Sequence, residues 1–379
     1  MTILTSATSA TSATSATSAT SATSATSANG VPGYTAVLAN PTLQFALEST
    51  RDAISVALKP LPAVTWGSDY IVNTYAAQTD AEGNLARWQP DVRLSVLGWA
   101  VSEGLVFKAA TGEATLSASG NPLVKLVRPD LPTLRTQVDL TVELANQRVN
   151  DSVLKTRHNE IITQVTPPFA FWSAVLPLHP DRTPRTYELM QVALMLGSTV
   201  ALRFKHAFAC PRPHELDARA HPLILTPGHA SLPSGHATEA STVSIVLAKL
   251  VQGDDQGQPV NSHEPALRRL AQRIAQNRIY AGVHYPIDSL AGHLLGETLG
   301  EYLVAMAKRS QVAPAQFNGR GAGAGQAIPA LDGTSARAQP LCGPLQLSAA
   351  SDAPAFVPGQ QLALEWLWKA ARREWGFAA

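Results

Sequence analysis

The chain has 379 residues, 45% of them hydrophobic, and its 29 Lys and Arg against 28 Asp and Glu leave a formal charge of +1. That is enough apolar material for a large core, in one domain or two. The charge balance excludes a general attraction to nucleic acid or to an anionic membrane, so any basic field must be local.

Residues 5–28 are eight copies of Thr-Ser-Ala, without charge or bulky apolar groups, and residues 1–30 are expected to be a disordered tail. Met1-Thr2-Ile3-Leu4 lacks the basic and apolar runs of a secretory signal. The best apolar run, Leu189 to Leu202, is too short to span a bilayer and contains Gln191. A soluble protein without a transmembrane segment is expected, and two distant cysteines, Cys210 and Cys342, favour the cytoplasm. Cys210 reads as apolar filler.

Residues 31–132 read as an N-terminal, mainly helical region packed on the core. Leu43, Leu47, Ile54 and Leu58 mark a first amphipathic helix, and Trp66, Tyr70, Trp88 and Trp99 follow among Pro and Gly, suited to packing roles. Minor strands are admitted in residues 60–130 and 311–360. Residues 133–310 are expected to form a helical bundle. Leu134 to Gln164 has apolar residues at spacings of three and four and reads as one long helix, with Asp139 and Glu160 on a solvated face or buttressing an arginine. Phe169, Phe171 and Trp172 are expected to wall the site. Thr186 to Phe208 is the next helix, capped by Thr186 and carrying Lys205 in its last turns, after which Pro211 and Pro213 force an extended exit.

The loop from His214 to Leu232 carries His214, His221 and His229 with Glu215, Asp217 and Arg219, but no helical His pairing of a zinc site, and no divalent metal is expected. Ser234-Gly235-His236 precedes a helical run to Val251. A helix start there aims unpaired N–H groups at an anion, and Gly235 permits close approach. Pro265 to Tyr280 is a helix whose Arg268, Arg269 and Arg273 face solvent, with Arg278 near its end. Ile287 to Arg309 closes the bundle, with His293 in a packing or surface role. Pro286 suits a first helical turn. Asp288, one turn beyond His284, can hold that imidazole in one tautomer and leave its other nitrogen free. Residues 311–379 are a Gly/Ala/Pro-rich arm and a final helix, Leu362 to Trp375, that packs back on the domain or across a dimer in a homo-oligomer.

Lys205 and Arg212, Ser234-Gly235-His236, and Arg278 with His284 and Asp288 supply three fixed cations and two proton-transferring imidazoles, an inventory suited to a tetrahedral oxyanion. In order and spacing these segments resemble the signature shared by type 2 phosphatidic acid phosphatases, bacterial acid phosphatases and vanadium-dependent haloperoxidases. The resemblance implies a mostly α fold, a helical bundle of the acid phosphatase/vanadium haloperoxidase type, with neither nucleotide nor haem. It implies that Lys205, Arg212, Arg278, Ser234 and the Gly235 amide hold the anion. His284 would ligate the vanadium of vanadate or attack phosphorus, and His236 would be the acid/base. His229, seven residues before His236, stands where bromide-using members border the halide pocket; the alternative is an ordinary loop histidine.

Two activities follow from one site: a haloperoxidase using hydrogen peroxide with bromide or iodide, or a phosphatase acting on a phosphate monoester. The Pro-Ser-Gly-His-Ala-Thr motif, His229 and the helical region upstream favour the first. The 19 residues between Pro213 and Pro233 favour the second, and Leu202, where chloride-oxidising relatives carry an aromatic, argues against chloride. A noncatalytic phosphate-binding protein is the third reading.

Overall fold

The computed structural model describes residues 85–86, 88–150, 152–166, 168–252, 263–320, 332–348, 351–359 and 361–377. The Thr-Ser-Ala repeat, the helix expected at Pro41 to Leu58, and Trp66 and Tyr70 lie outside the described residues. The chain divides after Trp99 into two compact units. Of the first, the described part holds Leu85 and the start of helix α1 (Pro90–Ser102), where Arg93 Nη1 donates to the Leu85 carbonyl at 3.0 Å.

The second unit is mostly helical. It begins with an antiparallel meander, β1 (Leu105–Ala110), β2 (Glu113–Ala118) and β3 (Asn121–Val127). Alternation in β2 buries Ala114, Leu116 and Ala118 on one face. These strands fall within residues 60–130, where minor strands were admitted, and in the described part of residues 31–132 they outweigh helix α1. Gly112 and Gly120 occupy the turns at φ +79° and +80°, the left-handed region that lets a chain reverse between strands. Strand β4 (Ala315–Asn318) then runs parallel to β3, and β5 (Cys342–Pro344) completes the sheet. A parallel pair requires a crossover connection. Here that connection is the entire helical bundle.

The bundle comprises α2 (Leu131–Asn150), α3 (Ser152–Thr163), α4 (Phe169–Ser173), α5 (Pro184–Phe208), α6 (Pro213–Leu216), α7 (Gly235–Leu250), α8 (Glu264–Tyr280) and α9 (Pro286–Lys308). The single helix expected from Leu134 to Gln164 is thus assigned as two. Helix α7 packs against α5, α8 and α9 and is buried almost all round, as its run of Ala, Val, Ile and Leu permits. Its contact with α9 depends on Gly292, Gly296 and Gly300. A Cβ on each would lie 2.6 Å from the Ser234 carbonyl, 2.3 Å from that of Thr238 and 2.7 Å from Ile245 Cβ.

Residues expected to form a loose arm are partly tied down, in β4, β5 and the pair β6 (Gln346–Ser348) and β7 (Ser351–Asp352). Helix α10 (Leu362–Glu374) packs back on the same unit, burying Leu364, Leu367, Trp368 and Ala371. Its Glu374 carboxylate accepts from the Arg185 and Thr186 amides at 2.6 and 2.9 Å, and from Thr186 Oγ1 at 2.7 Å. Thr186 is therefore not the cap of α5. The cap position is Thr183, Pro184 opens the helix, and a distant carboxylate satisfies its free N–H groups. No helix among the described residues is long and apolar enough to cross a membrane.

Candidate active site

Five helix ends build the site. Lys205 leaves the last turn of α5, which stops at Ala209 in a left-handed conformation (φ 47°). The chain then extends through Pro211 to Arg212, the N-cap of α6. Ser234 caps α7, placing Gly235 and His236 in its first turn. Arg278 lies in the last turn of α8. Gly282, at φ +75°, reverses the chain after it and brings His284 to the start of α9, where Pro286 is the first residue. A side chain at Gly282 would meet the Ala220 carbonyl at 2.5 Å. The Ser234 amide donates to the Asp288 carbonyl at 2.9 Å, tying the starts of α7 and α9 together.

The cations are deeply buried: Lys205 and Arg212 are 2% exposed and Arg278 is 0% exposed. Lys205 Nζ donates to the carbonyls of Ala230 and Ser231 at 3.0 and 2.8 Å. Arg212 donates through Nη1 to the Val283 carbonyl at 2.6 Å and through Nε to the His229 carbonyl at 3.0 Å, while Glu215 accepts from its amide. Arg278 Nη2 donates to the Ile161 carbonyl at 2.9 Å and to Gln164 Oε1 at 3.3 Å, whereas its Nε and Nη1 are buried without a partner.

His284 Nδ1 stands 3.0 Å from Asp288 Oδ2, which also accepts from the Tyr285 amide at 3.0 Å and from the Ser231 hydroxyl. A carboxylate partner holds the proton on Nδ1 and leaves Nε2 as the lone-pair nitrogen. His236 Nε2 donates to the Gln164 carbonyl at 2.8 Å. His229 sits at the exposed side, its Nδ1 3.2 Å from Arg212 Nη2.

Electrostatics show how tightly these groups converge. The His284 pKa is pushed well down by burial, then by Lys205, Arg212, His236 and His229. His236 is lowered to about 3 by burial, Arg278 and Lys205. Burial and then Arg212 lower Lys205; burial raises Asp288 and takes Glu239, which lies near Lys205, up to about 7. The imidazoles are consequently neutral near pH 7. Arg212, Arg278 and a partly charged Lys205, itself lowered to about 7, against Asp288 and a half-neutral Glu239 leave a net positive pocket with unspent guanidinium donors. An oxyanion fits that donor set.

Other expected roles resolve differently. The expected solvated face holds for Arg269, which is exposed, and in part for Arg273, which pairs with Glu160 at 2.7 Å with its side chain 38% exposed, but not for Arg268, which pairs with Glu264 at 2.8 Å and with Glu297. Glu160 reaches Arg278 only through Asn277 and Gln164, and Asp139 meets Arg219 at the surface. Trp172 does not wall the site. Its Nε1 donates at 3.3 Å to Ser244, about 12 Å along α7 from His236. His293 is a buried packing residue with Nδ1 2.7 Å from Ser241 Oγ, and Cys210 is buried with its thiol raised to about 12 by burial. Among the described residues no group of three His, Cys, Asp or Glu is placed to hold a metal ion, and Asp217 is spent on Arg219 at 2.5 Å.

Sequence reasoning missed Gln164, Ser231 and Glu239. Glu239 lies four residues from Gly235, hence on the same helix face, a signal that was available. Gln164 and Ser231 reach the site by tertiary contact, which no local spacing reveals.

Residues 188–311 match the PAP2 superfamily. The chain is 33% identical over 94 residues to a vanadium-dependent bromoperoxidase of Ascophyllum nodosum, covering 20% of this chain and 17% of that protein. It is 39% identical over 123 residues to decaprenylphosphoryl-5-phosphoribose phosphatase of Mycobacterium tuberculosis, covering 31% of this chain and 60% of that one. The match therefore spans less than two thirds of either relative. A Bacillus subtilis structure, the first transmembrane PAP2 type phosphatidylglycerolphosphate phosphatase, aligns at 19% identity over 45% of this chain and 89% of its own, with a TM-score of 0.30.

Proposed function

Starting from the PAP2-superfamily segment that residues 188–311 constitute, we propose that this chain is a vanadium-dependent haloperoxidase acting on bromide or iodide with hydrogen peroxide. The observation that carries the oxyanion assignment is Arg278, fully buried with Nε and Nη1 unpaired. Donors left in that state are costly unless a ligand takes them. In this reading Lys205, Arg212, Arg278, Ser234 and the Gly235 amide would hold the oxygens of vanadate, and His284 would supply Nε2 as its protein ligand. Bound vanadate supplies the Lewis acidity that activates hydrogen peroxide toward halide.

The chain's own residues do the rest. Asp288 holds the His284 tautomer, the buried cations balance the anion's charge, and His236 takes or gives a proton at the site. His229 favours halide chemistry: its neutral ring stands beside Arg212 on the exposed side, and its pKa is lowered by burial and Lys205.

Phosphomonoester hydrolysis is the second reading, favoured by the longer and more identical stretch shared with the mycobacterial phosphatase. His284 Nε2 would attack phosphorus, and the P–O bond to the alcohol would break as His236, its pKa raised by the bound dianion so that Nδ1 has taken up a proton, passes that proton to the departing alkoxide; water would then cleave the phosphohistidine.

One purified sample separates the two. Halogenation of a phenolic dye that needs added vanadate, peroxide and bromide supports the peroxidase. Aryl phosphate hydrolysis blocked by vanadate, without halogenation, supports the phosphatase. His284→Ala is expected to abolish whichever activity is present, and near-normal turnover in that variant would remove His284 from the proposal.

A further inference from the structure

Gln164 lies just beyond α3 and outside the PAP2 match, yet it is fully buried against the site. Its main-chain carbonyl accepts from His236 Nε2 at 2.8 Å. Its side-chain Oε1 accepts from Asn277 Nδ2 at 2.9 Å and from Arg278 Nη2 at 3.3 Å. Its Nε2 has no partner.

The amide cannot be turned the other way round. Asn277 Oδ1 receives Arg157 Nη1 at 3.2 Å, and Asn277 Nδ2 also donates to Glu160 Oε2 at 3.0 Å. Glu160 is in turn held by Arg273 through Nε at 2.8 Å and Nη2 at 2.7 Å. Asn277 therefore presents a donor to Gln164, as Arg278 does, and only an oxygen can face both. The Gln164 NH2 is left with two unspent protons beside the unspent Nε and Nη1 of Arg278. Unpaired donors on two touching side chains, within one buried net-positive pocket, describe a single binding surface.

We propose that Gln164 is a further anion-binding residue: its Nε2 donates to the tetrahedral oxyanion on the Arg278 side, while its main-chain carbonyl sets the tautomer of His236. The proposal rests on the oxyanion reading above. It extends the site to a residue upstream of the matched segment, and gives the anion a neutral, directional donor beside the three cations. A donor of this kind discriminates by geometry, because it adds no charge that any anion would feel.

Direct binding of inorganic orthovanadate and of inorganic phosphate to the full chain, by titration calorimetry, tests it. Failure of the wild-type protein to bind either anion would defeat the oxyanion reading itself, and with it this extension. If the wild type binds, Gln164→Met, which fills the same volume without a donor, is expected to weaken affinity about tenfold. Gln164→Glu keeps an acceptor for Asn277 and Arg278 but turns a carboxylate oxygen to the anion. It is expected to weaken affinity roughly a hundredfold, the larger loss reflecting the added charge. Should the methionine variant fail to give a cooperative melt, Gln164→Asn takes its place, since it keeps the chemistry and retracts the donor by one methylene, with a loss of similar size expected. Wild-type affinity in a folded Met, Asn or Glu variant would overturn the proposal. Vanadate and phosphate arms that fall together indicate a donor to the shared oxygens, whereas a loss confined to one anion identifies that anion as the one the pocket is shaped for.

Discussion

At the scale of single residues, the proposed chemistry turns on Asp288. The buried carboxylate is costly to charge, and its pKa is raised by burial even though Ser231, Tyr285, Lys205 and Arg212 all pull the other way. Asp288→Asn removes that charge while keeping the shape. Protein stability is expected to hold or rise slightly, while turnover falls at least about 10²-fold as the His284 imidazole loses its anchor and basicity. Turnover within a factor of three of wild type, measured beside a denaturant melt, would show that the contact is structural only.

A second consequence concerns protons. Lys205 and His236 both have lowered pKa values, and after burial the causes include neighbouring cations, Arg212 for the first and Arg278 for the second. A bound dianion reverses the sign of that local field and raises both. Binding must therefore take up protons wherever the free groups are deprotonated, and affinity must fall as pH rises above the lowered Lys205 value toward the ordinary lysine range. Calorimetry with phosphate at pH 8 in buffers of differing ionisation enthalpy should read net uptake, with sulfate as the anion whose own charge stays fixed. Net release with both anions would contradict the described electrostatics. The motif spacings made Lys205, Arg212, His236, Arg278 and His284 stand out in the sequence because each lies at the end of a helix that its neighbours delimit. Gln164 and Ser231 were illegible for the opposite reason: their partners are 72 and 57 residues away.

At the scale of elements, the site is only as well placed as α7 is against α9. The two helix starts share the Ser234 to Asp288 hydrogen bond, and the glycines of α9 set how closely the helices approach. Gly296 is the tightest point, since a Cβ there would meet both the Thr238 carbonyl at 2.3 Å and Ser241 Cβ at 2.7 Å. Neither is the loose end of a flexible chain. Gly296→Ala should therefore force the helices apart and cost about 1–3 kcal/mol, despite alanine's better helix propensity. Denaturant midpoints of the two proteins provide the check, and a more stable alanine variant would mean that propensity outweighs the clash.

Helices whose apolar residues recur every three or four positions were readable from the chain; of the meander, only the admission of minor strands in residues 60–130 was. Strand β2 alternates but in only six residues and with alanine at two of its three buried positions, and β1 presents mostly exposed positions. The signals were in its turns, Thr111-Gly112 and Ser119-Gly120, which require positive φ at the glycines and at Ser119. Arg268 and Arg273 look like surface residues by helical position and become ion-pair partners only because Glu297 and Glu160 arrive from other elements.

At the scale of the whole second unit, the chain after the bundle returns to brace what came before it. Strand β4 pairs with β3 across the helical crossover, and α10 lays Glu374 against the start of α5. That carboxylate takes two backbone N–H groups and the Thr186 hydroxyl, and Trp375 Nε1 donates to the same hydroxyl at 3.0 Å. It acts on the positive end of the helix dipole as well as on unpaired donors. Lys205 lies at the other end of α5, some 30 Å away at 1.5 Å per residue. Removing the carboxylate should thus loosen the brace without touching the pocket. Glu374→Ala is expected to cost about 1–2 kcal/mol of stability and to leave turnover and anion affinity of the folded protein unchanged. Urea titration followed by the Trp signal gives the first quantity and phosphate calorimetry the second. An unchanged midpoint would mean that water caps α5 as well as Glu374 does. A lowered anion affinity at full folding would mean instead that α5 carries strain along its length to Lys205, and the pocket could then no longer be treated as independent of the C-terminal brace.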